Sequence, residues 1–437
     1  MATRVLAAAF LVASALLAWL TINLVLAARA LQVGIALSMV YVGYLAWHGW
    51  RVMRSASTDP SNRADDGGRP FVSIIVPARD EATIVGGVVT DLLAQTYAGR
   101  DGSVAFEVVV IDDGSHDATA AVARAAAGAN PLIRVVRREP GTGPATKGAA
   151  LAFAQPLLRG EIVAAVDADT RLDPEFVEHA LRAWRRDPGA AAIQVERRPR
   201  NAGRSWLTRA QLEEQLMDMA SQCGRWATDG TAELRGNGMF VRRAALESVG
   251  GWDPEALTED LELSTRLAAA GHHVTLAPEV TVREEAVESA GALWRQRLRW
   301  AEGSLRRLME HGPRLLLGAQ PIGRKADFLA FTGEFLVPPL FATTIIASLA
   351  TIPQPRPADW SVPASLFAGY GIGAFMLALA GLAADGRRGL ALLGGSVRGA
   401  LFLSHWLLVV PCALARIAFW PGRSSFVQTP RGTATDR

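Results

Sequence analysis

Apolar and polar positions alternate along this chain in blocks of different period. From Val5 to Ala28 no residue is charged, and only Ser14, Thr21 and Asn23 are polar. That run of roughly 24 residues is long enough to cross a ~30 Å hydrocarbon core as a helix. After Arg29 a second apolar run extends from Leu31 to Trp47, so residues 1–50 are expected to form a transmembrane hairpin. The competing reading is a cleaved signal peptide with Ala28-Arg29-Ala30 as its site. The length of the first run, and the second run directly after it, argue against that. Residues 51–70 are rich in Ser, Asp, Gly and Pro and read as a linker. Arg51 and Arg54 beside the second run, with Arg4 before the first, place this side in the cytoplasm.

From Phe71 to about Ala286 the period changes. FVSIIVPA (71–78), VAFEVVVIDD (104–113), EIVAAVDAD (161–169) and AAAIQVERR (190–198) read as short buried strands. Alanine-rich helical stretches such as TIVGGVVTDLLAQ and DATAAVARAAAG separate them. Continuous apolar strands alternating with helices predict an α/β domain over 71–286 with a mostly parallel sheet covered on both faces. Ligands in such sheets bind at the carboxyl ends of strands. Acidic residues stand there: Asp80 and Glu81, Asp112 and Asp113, Asp167 and Asp169.

From Leu293 a helical period appears: Trp294, Leu298, Ala301, Leu305 and Leu308 share one face, with Arg295, Arg297, Arg299, Arg306 and Arg307 around it. Residues 287–325 are expected to lie in the membrane interface with this apolar face in lipid; a core-facing surface helix is the plainer alternative. Apolar stretches then run through Phe328–Ile352, Ser365–Ala384 and Ala391–Trp420. The region 326–420 is therefore expected to contain two or three spans. The third stretch holds Arg398, His405 and Arg416, and a kinked span or an interfacial piece both fit it. Only an even count leaves the arginine-bearing tail, 421–437, on the cytoplasmic side. No fixed-period repeat is present.

Composition adds limits. The chain has 437 residues, 50% hydrophobic and 20% charged, which excludes a disordered protein. Two cysteines, Cys223 and Cys412, exclude a disulfide scaffold; Cys223 reads as packing. A net charge of only +3 gives no concentrated basic face, so no nucleic-acid partner is expected.

Candidate chemistry gathers at the strand ends. Asp167 and Asp169 are carboxylates one residue apart at the end of a buried strand. They can face a divalent cation or simply hold a turn. Asp112-Asp113-Gly114-Ser115 ends another strand, and Asp117 reads as the N-cap of the next helix. Gly141-Thr142-Gly143-Pro144-Ala145-Thr146-Lys147-Gly148 is neither a Walker A loop nor a dinucleotide fingerprint, because Thr146 stands where each needs Gly. Lys147 points either at a phosphate or at solvent. Thr258-Glu259-Asp260 opens a helix, either as cap and first-turn acids or as a general base near a phosphate site. Gln296 and Arg299 share a helix face three residues apart, and Arg299 can contact a diphosphate bidentately. Trp300 can stack on a sugar or sit at the interface.

The ordered set PARDE (77–81), DDGS (112–115), DAD (167–169), GNG (236–238), TED (258–260) and QRLRW (296–300), between membrane segments, resembles the membrane-bound family 2 glycosyltransferases. Cellulose synthase and hyaluronan synthase belong to that family. The resemblance spans roughly Phe71 to Trp300. It implies a GT-A fold and inverting transfer from a UDP-sugar, UDP-glucose being the expected donor. It implies that Ala78, Glu81 and Asp113 line the nucleotide pocket with Lys147 and with Asp167 near the uridine. It implies that Asp169 holds Mg²⁺ or Mn²⁺. Asp260 becomes the base, with Glu259 beside it, and Gln296, Arg299 and Trp300 attend the diphosphate and acceptor. The implied setting is the inner membrane of a bacterial-type cell with the catalytic domain cytoplasmic. The stretches 234–252 and 293–307 also look like bacterial enzymes that glucosylate diacylglycerol. The few spans and the lack of a C-terminal regulatory domain depart from cellulose synthases. The acceptor thus stays open between a growing glycan and a membrane lipid. An inactive sugar-nucleotide-binding membrane protein is the remaining alternative.

Overall fold

In the computed structural model residues 2–56, 68–351 and 360–420 are described; most of the expected linker and the whole tail 421–437 lie outside them. The chain opens with α1 (Ala2–Asn23) and α2 (Val25–Ala56). They form a hairpin. Ala18 and Ala28 share one apolar cluster near the turn, while Ala7 packs beside Ala301 at the opposite end. The turn falls at Leu24, not at Arg29, whose guanidinium donates to Gln32 Oε1 at 2.9 Å inside α2. A pair three residues apart lies on one helix face, so the charge is accommodated without a break. Helix α2 also continues through Arg51 and Arg54, and the linker begins later than expected.

A seven-stranded sheet follows: β1 (Val72–Ala78), β2 (Phe106–Asp112), β3 (Ile133–Arg137), β4 (Ile162–Ala165), β5 (Ala192–Pro199), β6 (Met239–Arg242) and β7 (Val274–Glu284). Its order is β3-β2-β1-β4-β6-β5-β7. Strands β3, β2, β1 and β4 are parallel neighbours, as are β5 and β7; β6 runs antiparallel to β4 and β5. The intervals hold α3 (Val85–Leu93), α4 (Thr119–Ala127), α5 (Lys147–Ala154), α6 (Phe176–Trp184), α7 (Trp206–Ala227), α8 (Arg243–Ser248) and α9 (Glu259–Ala269). Alternation along each strand sends side chains to opposite faces. Ile74, Val108 and Val110 join α3 and α6 in one core, while Ile75, Val109 and Ile111 join α5 and α9 in the other.

Three of these strands are absent from the sequence reading. β3 is an edge strand that carries Arg134 and Arg137 and is only partly buried. β6 has four residues and runs straight into α8. β7 contains Pro278, which argues against a strand. The sheet accommodates it at an irregularity: Val195 pairs with Ala277 and Glu196 with Thr281, so Pro278 falls between paired positions.

The C-terminal part contains α10 (Ala290–Leu317), α11 (Ile322–Gly333), α12 (Val337–Thr351), α13 (Ser361–Ala384), α14 (Gly389–Leu403) and α15 (Trp406–Phe419). Most of the apolar face of α10 packs against protein, with Trp294 left partly exposed. Leu298, Ala301 and Leu305 pack on Val410, Ala413 and Leu414 of α15 and on Ala7. Its arginines are also engaged: Arg297 pairs with Glu214, Arg306 with Glu302 and Arg307 with Glu233. Glu214 of α7 and Glu233 thus tie this helix to the domain, while the Arg306–Glu302 pair lies within α10.

Five helical segments are long and apolar enough to cross a membrane. Four of them run between the sheet domain and the far end of the bundle: α1, α2, the α11–α12 pair and α13. Leu340, Val362 and Leu366 meet Ala18 and Ala28 at that far end. The fifth, residues 389–419, breaks at Ser404-His405 and stays beside the domain. Arg398 of α14 binds Glu213 of α7, and Arg416 of α15 lies 3.3 Å from Glu302 of α10. Each half, 15 and 14 residues long, is shorter than the roughly 20 residues a span needs.

Helix α7 joins domain and bundle. An added Cβ on Gly49 would lie 1.9 Å from Ala220 O, on Gly224 2.3 Å from Leu45 O, and on Gly381 2.3 Å from Leu216 O. The backbones of α2 and α13 thus lie directly on that of α7. Cys223 is buried in the same contact, and burial pushes its thiol well up. It serves packing.

Candidate active site

Because β1, β2 and β4 are adjacent and parallel, their carboxyl ends open on one edge. Ala78 ends β1, and its carbonyl accepts the Asp113 N–H at 2.8 Å. Asp80 adopts φ 52°, a left-handed conformation uncommon outside glycine. Its N–H donates to Ser115 Oγ at 2.9 Å, and its Oδ1 accepts the His116 N–H at 2.6 Å. The Glu81 N–H donates to Thr119 Oγ1 at 2.7 Å. PARDE and DDGS are thereby locked into one loop pair. Asp117 stands one residue before the N-cap Ala118, yet its Oδ1 still accepts the Thr119 N–H at 2.9 Å. Asp113 is buried against the Arg138 guanidinium.

The DAD turn is held from across the sheet. Asn237 Oδ1 accepts the Asp167 N–H and the Thr170 hydroxyl, each at 3.1 Å, and Asn237 Nδ2 donates to Glu284 at 2.9 Å. Its two glycine neighbours are required by geometry. Gly236 (φ 81°) and Gly238 (φ 69°) are left-handed. A Cβ on Gly238 would meet Val195 at 2.6 Å, and one on Gly236 would meet the Asp260 carboxylate at 3.0 Å. The sequence reading noted GNG as a motif and missed this orienting role of Asn237.

Lys147 begins α5 after an N-cap in which Thr146 Oγ1 accepts the Ala149 N–H. Its ammonium lies 2.5 Å from Asp167 and 3.2 Å from Glu259, and it donates to Gly236 O at 2.7 Å. It is not turned to bulk solvent: it ties the end of β4 to α9 and lines the cavity. Burial opposes its charge, but Asp167 and Glu259 outweigh that and raise its pKa. Burial pushes Glu259 up to about 7, against the pull of Lys147 and with the help of Asp260. Asp260 is the next residue on α9 and faces Gly236. Thr258 is the N-cap by position, but its hydroxyl caps nothing. It packs instead on Gly303 of α10, where a Cβ would come within 2.5 Å of Thr258 Oγ1.

Gln296, Arg299 and Trp300 face the same space from α10. The Arg297 guanidinium covers Trp300 at 4.1 Å from the ring centroid. Below them lies a charged layer that the sequence reading missed. Asp218 pairs with Arg235, and Glu233 pairs with Arg225, Arg235 and Arg307. No local pattern announces it, since the partners come from α7, α10 and the GNG loop.

All the candidate residues line one cavity of ≈ 960 Å³: Ala78, Glu81, Asp113, Lys147, Asp167, Asp169, Glu259, Asp260, Gln296, Arg299 and Trp300. The cavity does not stop at the domain. It continues between α1, α2, α12 and α13, where Leu17, Ile35, Met39, Leu340, Leu366 and Gly373 line it.

The chain is 32% identical over 372 residues to a beta-monoglucosyldiacylglycerol synthase of Synechocystis sp., covering 84% of this chain and 76% of that one. It is 27% identical over 239 residues to a poly-beta-1,6-N-acetyl-D-glucosamine synthase of Staphylococcus aureus, covering 53% and 54%. Its fold matches a mannosyltransferase of Pyrobaculum calidifontis, solved with GDP-Man and Mn²⁺, at TM-score 0.58 and 22% identity, covering 90% of this chain and 98% of that one. At that identity the likeness speaks for the GT-A fold alone. The family model described as glycosyltransferase like family 2 matches residues 69–303, more than half of the chain, and the chain belongs to that family as a glycosyltransferase.

Proposed function

We propose that this chain transfers glucose from UDP-glucose to the hydroxyl of diacylglycerol with inversion at the anomeric carbon. The observation that carries the reading is the continuity of the cavity. Its polar end holds the strand-end acids, and its apolar end opens among helices long enough to cross a membrane. A lipid whose chains lie between α1, α2, α12 and α13 can present its hydroxyl to Asp260 while the chains stay in an apolar environment. The name of the Synechocystis relative supports the same acceptor and sugar.

In this reading Ala78, Glu81 and Asp113 border the nucleotide, with Asp167 near the uridine. Asp260 takes the acceptor proton as the hydroxyl attacks. Glu259 and Lys147 set the charge around it. Lys147, Arg299 and Gln296 lie where a departing diphosphate needs positive and hydrogen-bonding groups. Trp300, backed by Arg297, walls the acceptor side. A single displacement needs no nucleophilic side chain.

The residues present fit a divalent cation. Asp169 is buried at the β4 end with Oδ2 on the Glu285 N–H at 3.3 Å. Asp167 stands two residues before it. No group of three or more His, Cys, Asp or Glu is gathered for a metal among the described residues. One or two carboxylates completed by substrate phosphates is the usual arrangement for Mg²⁺. Mg²⁺ or Mn²⁺ on Asp169 would supply positive charge to the donor diphosphate.

With α1, α2, α11–α12 and α13 taken as the crossing helices, both ends of the described chain come to the side of the sheet domain. With Arg4, Arg51 and Arg54 there, that side is the cytoplasm in our reading, at the inner membrane of a bacterial-type cell. The test is to incubate the purified chain with radiolabelled UDP-glucose and diacylglycerol vesicles. Chloroform-soluble label carrying a β-linkage is the expected product. Ethanol-insoluble label would make the acceptor a polysaccharide and overturn the lipid reading.

A further inference from the structure

The helices around the apolar end of the cavity form two halves. In one, Ala7 of α1 packs with Leu305 of α10 and with Val409 and Val410 of α15, and α12 lies along α1. In the other, Ala46 of α2 packs with Met217 of α7 and with Ala374 and Ala378 of α13. The halves meet at the far end of the bundle. There Leu340 of α12 joins Leu366 of α13, and Phe341 stacks on Phe367 with ring centroids 6.0 Å apart. Toward the domain, α11 bridges them on one side. Its Asp327 takes the Tyr41 hydroxyl of α2 and pairs with Arg225 of α7, and Phe335 just beyond it packs into the α1–α15 cluster.

On the other side the bridge is the break between α14 and α15. Tyr370 of α13 donates its hydroxyl to Leu403 O at 3.2 Å, and Trp406 Nε1 donates to Glu214 of α7 at 3.1 Å. Between this break and the Phe341–Phe367 stack, no buried apolar cluster and no hydrogen bond joins α13 to α12 or α15 among the described residues. Gly371 marks the gap. It lies four residues after Phe367, on the same face of α13 and one turn nearer the domain. An added Cβ there would meet nothing within 4 Å. From inside, the cavity reaches this place: Tyr370, Ala374, Trp406 and Val410 line it. On the outside, Phe367 and Ile372 are exposed apolar residues of a helix long enough to cross a membrane.

Size gives the gap its meaning. Pockets that enclose one small ligand run to roughly 300–1,000 Å³. A cavity of ≈ 960 Å³ that also takes a nucleotide sugar has too little room left for two long acyl chains. The chains must leave it, and the bilayer is the apolar solvent beside it. We propose that the acceptor lipid enters sideways from the bilayer, between α13 and the α12–α15 side, and that its acyl chains stay in this opening while its hydroxyl reaches Asp260. This rests on the lipid-acceptor reading above and adds the route and the resting place of the chains.

The test uses the full chain in mixed micelles with labelled UDP-glucose and with lipid varied as a surface mole fraction. In the wild type, the KM values for dioctanoylglycerol and dioleoylglycerol should differ by less than about threefold, because longer chains extend into lipid. Gly371→Trp fills the gap and should raise the KM for dioleoylglycerol by about tenfold or more. UDP affinity and the thermal midpoint should not change. Ile372→Trp, one residue along and already turned outward, should alter none of these. Should Gly371→Trp lose its thermal transition, Gly371→Leu fills the same space with a smaller side chain and should shift the KM in the same direction. An unchanged KM in the Gly371 variant, an equal rise in Ile372→Trp, or rejection of dioleoylglycerol where dioctanoylglycerol reacts would overturn the route even while lipid product forms. If the wild type forms no chloroform-soluble label at all, the lipid-acceptor reading fails, and this inference falls with it.

Discussion

The Lys147 ammonium stands 2.5 Å from the Asp167 carboxylate, joining the end of β4 to the start of α5. Through its second contact, to Glu259 at 3.2 Å, it also fixes α9, which carries Asp260. One cation thus sits among three acids at the place where a diphosphate is proposed to bind. Removing it leaves Asp167, Glu259 and Asp260 to repel the donor. Lys147→Met is expected to weaken UDP binding by about tenfold or more, a like-charge effect, with turnover falling further. Calorimetric titration of UDP against the purified variant checks this; unchanged affinity would remove Lys147 from the donor site.

Asp260 is the acid on which the proposed chemistry turns. Asp260→Asn preserves the shape of the side chain that faces Gly236. Transfer is expected to fall by about 10²–10⁴-fold, the usual contribution of a general base, while UDP affinity stays near the wild-type value. Parallel measurement of turnover and UDP binding separates the two. Retained turnover would move the base elsewhere, with Glu259 the neighbouring carboxylate.

The strand ends were legible because a continuous β-branched run followed by acids has few other meanings in a buried sheet. β1, β2 and β4 read that way, and β5 reads as a further buried strand without acids at its end. β7 was hidden by Pro278, whose cost is met only by a register shift against β5. The partners of the α10 arginines are hidden for a related reason. The spacing of these arginines shows a basic amphipathic helix, but Glu214 and Glu233, which bind Arg297 and Arg307, lie far away in sequence. Asn237 and the α7 carboxylates are invisible for the same cause: their partners are brought by the fold, and no local period marks them. The third C-terminal apolar stretch has the composition of a span. Only Arg398 on Glu213 and Arg416 beside Glu302 show that it stays against the domain.

The contact between α2 and α7 leaves no room for a side chain. A Cβ on Gly224 would lie 2.3 Å from Leu45 O, which is backbone and cannot turn aside. Gly224→Val must therefore push the two helices apart, at about 1–3 kcal/mol for overpacking. Thermal unfolding of the detergent-solubilised variant should show a lowered midpoint. The lipid end of the cavity should suffer more than the nucleotide end, since α2 lines the former. The expected kinetic sign is a raised KM for diacylglycerol with UDP affinity little changed.

Glu233 offers a pH test of the charged layer under the cavity. Burial pushes its carboxyl up, but Arg307, Arg225 and Arg235 outweigh that and hold it down at about 2 from an ordinary value of 4.5. A group lowered in the folded state binds fewer protons there than in the unfolded chain. Its stabilisation is therefore present above pH 4.5 and is lost as pH falls toward about 2. A depression of this size corresponds to roughly 3 kcal/mol at neutral pH. Glu233→Gln leaves Arg307 with Leu261 O and Thr265 as its partners, whereas Arg225 keeps Asp327 and Arg235 keeps Asp218. The variant should be less stable than the wild type at pH 7 by about that amount, and the gap should narrow progressively below pH 4.5. Denaturant unfolding of both proteins across this range reads the difference directly. A gap independent of pH would mean that the loss comes from packing around residue 233 and not from its charge.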